Sequence, residues 1–389
     1  SIALKDRSAI LLGGHLADLA LWFETSSFQW ISGQFYLPAG KLPEWVDKLN
    51  HEITARKGKP LKWDALTKFD EEASEHTFVN ESKLAKSIGP SFPHTFEAGS
   101  MAELSTPYGV ELTMAAASRA VEFYNLGQDE HTDILTVSVS SHDYVGHSFG
   151  PHTREMKEMT LAEDRQLSSF FNTLNKKIPG GLKQVSFVLT ADHGVAPDPE
   201  WAKRHRILAG KIDLEELVKS IEEVLSAKYG RPGKEKWIAE ALDFNFYINA
   251  KALAENKIER PAVEEEIKNV LRSRPEFTAA FSRTDYLKRT LPPGRHQDQI
   301  LKTYVLDRSG DVIGIPKPFY FEKGSNTTTH MVGYNYDTTV PIILAGFGVR
   351  PGRYPRQAHV VDIAPSLTYL AGVLPPSSSE GKLLTEALK

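Results

Sequence analysis

Three short apolar segments constrain the fold most: 133–141 (DILTVSVSS), 185–190 (VSFVLT) and 340–345 (VPIILA). Each is rich in β-branched residues and apolar on both alternating faces, the pattern of parallel strands covered on two sides. Between the first two lies 153–174, where Met156, Met159, Leu167, Phe170, Phe171 and Leu174 recur at helical spacing, as a right-handed crossover helix requires. A last helix is predicted from near Asp362 through Leu370, with Pro365 in its first turn and Gly372 near its end. The fold class that follows is α/β, a doubly wound, mostly parallel sheet with helices on both faces.

The core is assigned to 1–20, 126–199 and 300–389. The stretch 21–125 holds Trp22, Trp30, Trp45 and Trp63 among Gly, Pro and charged residues and is read as an inserted cap. Residues 200–299 alternate charged helical segments (213–227, 262–272) with short strands (244–248, 277–281), a smaller α+β lobe. After it, 303–306 and 312–315, joined by Arg308-Ser309-Gly310-Asp311, read as a β-hairpin.

Composition narrows the function. With 46 basic and 50 acidic residues the net charge is -4, which offers no broad cationic surface for nucleic acid or an anionic membrane. A small or mobile substrate fits better. There is no cysteine, so disulfides and thiolate metal sites are excluded and His with carboxylates are left as the strong zinc ligands. No apolar run reaches the roughly 18 residues of a membrane span.

Chemistry gathers at the ends of the predicted strands. After the first comes Ser141-His142-Asp143-Tyr144-Val145-Gly146-His147, and after the second Thr190-Ala191-Asp192-His193-Gly194; the carboxyl ends of α/β strands are where ligands bind. His330 follows the polar run Gly324-Ser325-Asn326-Thr327-Thr328-Thr329 and precedes the third strand. Oxygen and imidazole donors are the mix zinc takes. Five such groups exceed one tetrahedral ion, so two zinc ions are implied. An isolated Asp-His pair is more often a turn element than a ligand; recurrence at consecutive strand ends is what raises these two. His142, His152, His15 and His94 lack that support and are left as surface or supporting histidines. Near the start, Lys5-Asp6-Arg7 would, if extended, point Lys5 and Arg7 to one face and let both grip one phosphate. A solvated charged turn is the plainer reading of those residues alone.

In this order, these motifs together with Tyr336-Asp337-Thr338-Thr339-Val340-Pro341 and Asp362-Ile363-Ala364-Pro365-Ser366-Leu367 resemble the alkaline phosphatase superfamily. The branch is that of the type I phosphodiesterases and nucleotide pyrophosphatases, with its phosphate-irrepressible alkaline phosphatases. The resemblance implies that Asp143, His147 and His330 hold one zinc and Asp192 and His193 the other. It implies that Lys5 and Arg7 contact the transferred phosphoryl group of a monoester, and that catalysis passes through a phospho-enzyme. A periplasmic or secreted location follows from the same likeness. The rival readings are a phosphodiesterase or nucleotide pyrophosphatase with the same metals, and a non-catalytic zinc- or phosphate-binding remnant. Relatives begin well before the K-x-R motif, with a strand bearing an Asp ligand and then a Thr or Ser nucleophile. The expectation is therefore that both lie in an N-terminal segment upstream of Ser1, which would act as a partner to this chain, and that 1–389 alone has at most weak activity. Many relatives also carry Gly after the last ligand histidine, where this chain has Met331.

Overall fold

Helices form where apolar side chains recur at helical spacing between a cap and a stop. The computed structural model describes residues 1–37, 39–68, 82–89, 91–291, 293–324 and 326–389; Ser325 of the polar run lies outside them, as do 38, 69–81 and 90 of the 21–125 stretch. The crossover helix spans Arg154–Lys177. Thr153 caps it by accepting from Met156 N at 3.4 Å, and Lys176 and Lys177 in its last turn complement the negative end of the helix dipole. Met156, Met159 and Leu174 are its buried stripe. It packs on the Pro107–Phe123 helix, whose Val110 and Met114 share a core cluster with Met156 and Met159. The last helix is Ile363–Leu370.

The chain divides into two compact units, Ser1–His193 with Val340–Lys389, and Gly194–Thr339. In the first, Ile2–Ala3 pairs parallel with Val137–Ser138, and Ile2 bridges Leu21, also parallel. Trp30, Trp45, Leu49 and Ile53 share a core cluster with Ile2, Leu4, Leu21 and Leu112, so the tryptophan-rich stretch packs directly on the chain's first strand. Ser186–Leu189 pairs with Ile343–Gly346. That pairing is antiparallel, not the parallel one expected of these two segments, because an apolar run reports burial and says nothing of strand direction. Nor are the strands sealed on both faces: Phe171 of the long helix packs edge-to-face on Phe187 at 4.8 Å, while Ile343 remains 50% exposed. Likewise only Val137–Ser138 of 133–141 is paired as strand, since the chain turns into a helix at Ser140.

The second unit holds an antiparallel four-stranded sheet in the order Phe277–Ser282, Val312–Pro316, Asn245–Ile248, Ile238–Leu242. The helices Leu214–Tyr229 and Arg260–Ser273 bury Leu217, Ile221, Leu225, Val263, Ile267 and Leu271 together with the sheet residues Phe246, Ile248, Phe277 and Val312. The expected hairpin is not formed. Thr303 ends a helix, Arg295–Thr303, whose Ile300 joins Tyr304 in a small core cluster at helical spacing. Val312–Pro316 finds its partners in strands far back in the chain.

A charge pair ties the second unit's helices to its sheet. Lys268 is nearly buried and donates to both oxygens of Asp285 at 3.1 and 2.9 Å, while Ser282 and Asp285 form a capping box at the end of a strand. Burial alone would raise the Asp285 carboxyl, but the Lys268 and Ser282 hydrogen bonds outweigh it and the pKa is lowered. The ionised group's contribution to stability is therefore full above the ordinary carboxylate value near 4 and is lost as pH falls through the lowered folded value. Asp285→Ala should cost about 2 kcal/mol in urea denaturation at neutral pH. Asp285→Asn should flatten the acid side of the stability profile, and an unchanged profile would remove the pair from the account.

Candidate metal centre

Asp143 and His147 lie four residues apart on the helix Ser140–Phe149, hence on one face. Its other face anchors it through buried Val145, Gly146 and Phe149. A Cβ at Gly146 would meet Met156 Cε at 3.2 Å, so the helix lies close on the long helix. The carboxylate of Asp143 is a focus of positive groups. Its Oδ2 accepts from Lys5 Nζ at 2.6 Å, and its Oδ1 lies 3.3 Å from His147 Nε2 and 3.8 Å from His193 Nε2. Burial would raise the Asp143 carboxyl, but His147, Lys5 and His193 together hold it below the usual carboxylate value. Asp192 is the outlying member, its side chain 85% exposed with Oδ2 3.7 Å from His193 Nε2. Carboxylates beside imidazoles, with no thiolate in the chain, form a donor set that fits zinc.

Lys5 and Arg7 part company. Lys5 is extended and caps a helix, Asp6–Gly13, which the sequence reading of an extended K-x-R segment did not anticipate. Asp6 favours the helix start, since its carboxylate accepts from Arg7 N at 2.7 Å and sits in the first turn. Arg7 is consequently exposed on helix while Lys5 reaches Asp143, its Nζ 5.0 Å from the Tyr144 ring.

The other histidines separate by environment. His142 bonds Glu163 Oε2 through Nδ1 at 2.7 Å; burial would lower its pKa, but Glu163 and then Asp143 outweigh this and raise it. Glu163 thereby fastens the Asp143 helix to the long helix, a role no local spacing signalled because the partners are 21 residues apart. His94 is not a surface residue: it is fully buried, with Nε2 3.2 Å from Glu155 Oε1 and Phe92, Trp63 and Phe149 around it. His15 is exposed near Phe35, and His152 is exposed.

His330 belongs to the second unit, in a loop braced on both sides. Thr328 Oγ1 donates to Ala196 O at 2.7 Å and Ala196 N to Thr329 O at 3.3 Å. Beyond it, Val332 N donates to Asp337 Oδ2 at 2.9 Å, Gln299 Nε2 to Gly333 O at 2.7 Å and Tyr334 Oη to Pro316 O at 2.8 Å. Met331, next to His330, has φ +96°, a conformation costing roughly 1–3 kcal/mol for a residue with a Cβ. Gly194 N donates to Asp337 O at 2.7 Å.

A model of the "Type I phosphodiesterase / nucleotide pyrophosphatase" family matches residues 15–338. The chain belongs to that family. It is 32% identical over 395 residues to the alkaline phosphatase PafA of Elizabethkingia meningoseptica, covering 100% of this chain and 71% of that protein. It is 30% identical to the alkaline phosphatase PhoV of Synechococcus elongatus over 397 residues, again 100% of this chain and 70% of that one. The crystal structure of wild-type PafA superposes with a TM-score of 0.87 at 30% identity, covering 100% of this chain and 74% of that one. The fold is thus α/β and PafA-like, and the chain is a phosphoester hydrolase.

In this family member Gly194 is a packing requirement, since a Cβ there would meet Tyr336 O at 2.1 Å. Gly194→Ala should destabilise the protein by about 1–3 kcal/mol, read as a lowered thermal midpoint. A midpoint equal to the parent's would show that the close approach of Gly194 to Tyr336 is not required.

Proposed function

We propose that this chain hydrolyses phosphate monoesters as a two-zinc alkaline phosphatase. The observation that carries the reading is the Asp143 carboxylate with Lys5 and the imidazoles of His147 and His193 converging on it. Asp143, His147 and His330, candidate metal-holding groups, would hold one zinc, and Asp192 with His193 the other. Zinc when bound supplies Lewis-acid stabilisation of negative charge on phosphate oxygens.

The chain's own residues do the rest. Lys5, already drawn to the site by Asp143, offers its ammonium to a phosphoryl oxygen, and the exposed Arg7 adds a planar fork for two more. A monoester dianion uses both cations more fully than a diester monoanion, which favours monoesters. Glu163 keeps the Asp143 helix seated through His142. The attacking hydroxyl, a Thr or Ser that becomes transiently phosphorylated before water releases phosphate, is proposed to come from a segment beyond residues 1–389. In support, this chain spans 71% of the length of PafA. The same likeness to alkaline phosphatases favours a periplasmic or secreted location. Among the described residues no helix is long and apolar enough to cross a membrane.

The family's own description keeps phosphodiester or nucleotide pyrophosphate hydrolysis as a second reading. One comparison separates them: kcat/KM on an aryl phosphate monoester against the matching diester, for the parent and for Lys5→Ala and Arg7→Ala, each assayed with the upstream segment of its own gene present. Each substitution should remove about 2–4 kcal/mol of transition-state stabilisation from the monoester reaction and much less from the diester. Equal losses on both would assign the two cations to general binding, and a parent faster on the diester would favour the second reading.

A further inference from the structure

The ammonium of Lys5 touches two neighbours within the first unit. It donates to Asp143 Oδ2 at 2.6 Å and lies over the ring of Tyr144, 5.0 Å from the centroid. As a zinc ligand, Asp143 would share its negative charge with the metal, and the pull of that carboxylate on Lys5 would weaken. The ring's pull does not depend on the carboxylate, because the negative face of a neutral aromatic attracts a cation by itself. A lysine needs such a guide: its ammonium sits on a flexible four-carbon stem and has no rigid fork to set its direction.

We propose that Tyr144 is a positioning residue for phosphate-ester hydrolysis, its ring face holding the Lys5 ammonium ready for a phosphoryl oxygen while Asp143 serves the metal. The inference rests on the reading of Lys5 and Asp143 given above. One apolar cluster places both groups: Tyr144 is half-buried and packs against a core that includes Ile2 and Leu4, and Lys5 directly follows Leu4 in extended backbone. The Lys5 side chain is only 30% exposed, and cation–π attraction strengthens as the cation is desolvated. If Tyr144 merely filled space beside that core, an aliphatic side chain of similar bulk would serve as well.

The test titrates inorganic phosphate calorimetrically into the zinc-loaded protein, with the upstream segment of its own gene present, so that no turnover is needed. Tyr144→Leu should bind phosphate roughly five- to tenfold more weakly than the parent. Tyr144→Phe, which keeps the ring, should restore the affinity to within about twofold. In a Lys5→Ala background Tyr144→Leu should change the affinity by less than about twofold, since the two substitutions remove one interaction. Tyr144→pentafluorophenylalanine keeps the ring's shape but reverses its quadrupole; it should behave like Tyr144→Leu and stands in if that variant folds poorly. Undiminished phosphate binding in Tyr144→Leu, or an equal loss with and without Lys5, overturns the proposal while leaving the phosphatase reading standing. So does a matching loss of zinc affinity in Tyr144→Leu, which would make the ring a prop for Asp143. Phosphate binding by Lys5→Ala equal to the parent's would sink the reading of Lys5 itself, and this inference with it.

Discussion

The first unit's chemistry hangs on the charge of one carboxylate. Asp143 is half-buried, and burial by itself would favour its neutral form. Lys5 at 2.6 Å and two imidazoles within 3.8 Å reverse that balance and keep it ionised. Much of the surrounding structure can be read as the means of bringing these groups together. The parallel pair Ile2–Ala3 with Val137–Ser138 delivers Lys5 two residues beyond one strand and Asp143 five beyond the other. The Ser140–Phe149 helix sets His147 one turn on, and the Ser186–Leu189 strand ends four residues before His193.

Rigidity comes from packing that is independent of the charges. The long Arg154–Lys177 helix closes on the Asp143 helix through the bare face of Gly146 and grips it again through Glu163 and His142. In the second unit, the loop bearing His330 is fixed by backbone and side-chain hydrogen bonds to three separate segments and to Asp337 a few residues on, with Met331 at a backbone angle it would not choose. The metal-holding role proposed for His330 would need that restraint, because a coordination distance tolerates only a few tenths of an ångström.

Where local periodicity decides structure, the sequence could be read directly. The helix around Met156, Met159 and Leu174, the two helices over the second unit's sheet, and the strands near Phe246 and Phe277 all lie where their spacing places them. The pairing of Asp143 with His147 and the nearness of His193 were legible from their positions after strands. Strand direction was not: the apolarity of 185–190 and 340–345 is the same whichever way they run. Residues 303–306 read as strand because Thr303, Tyr304 and Val305 are strand-favouring types, whereas Ile300 and Tyr304 share one helical face. The alternation of Lys5 and Arg7 suggests a strand, but Asp6 supplies a helix start and Asp6–Gly13 is helical. Glu163 gave no local signal, since its partner is 21 residues away.

Asp143 and His147, in the company of Lys5 and a further imidazole, are proposed to be metal ligands. Calorimetric titration of metal-stripped protein with zinc decides this by comparing the parent with His147→Ala and with His142→Ala, a neighbour on the same helix. Asp192 and His193 would give the second zinc only two ligands from this chain, fewer than the three usual in a catalytic site, so one tight zinc-binding event per parent chain is expected, kept in His142→Ala within about the tenfold to hundredfold loss typical of a supporting group. His147→Ala should lose it by more than roughly a hundredfold. Zinc binding of equal affinity and stoichiometry in His147→Ala and the parent would show that His147 is not a metal ligand.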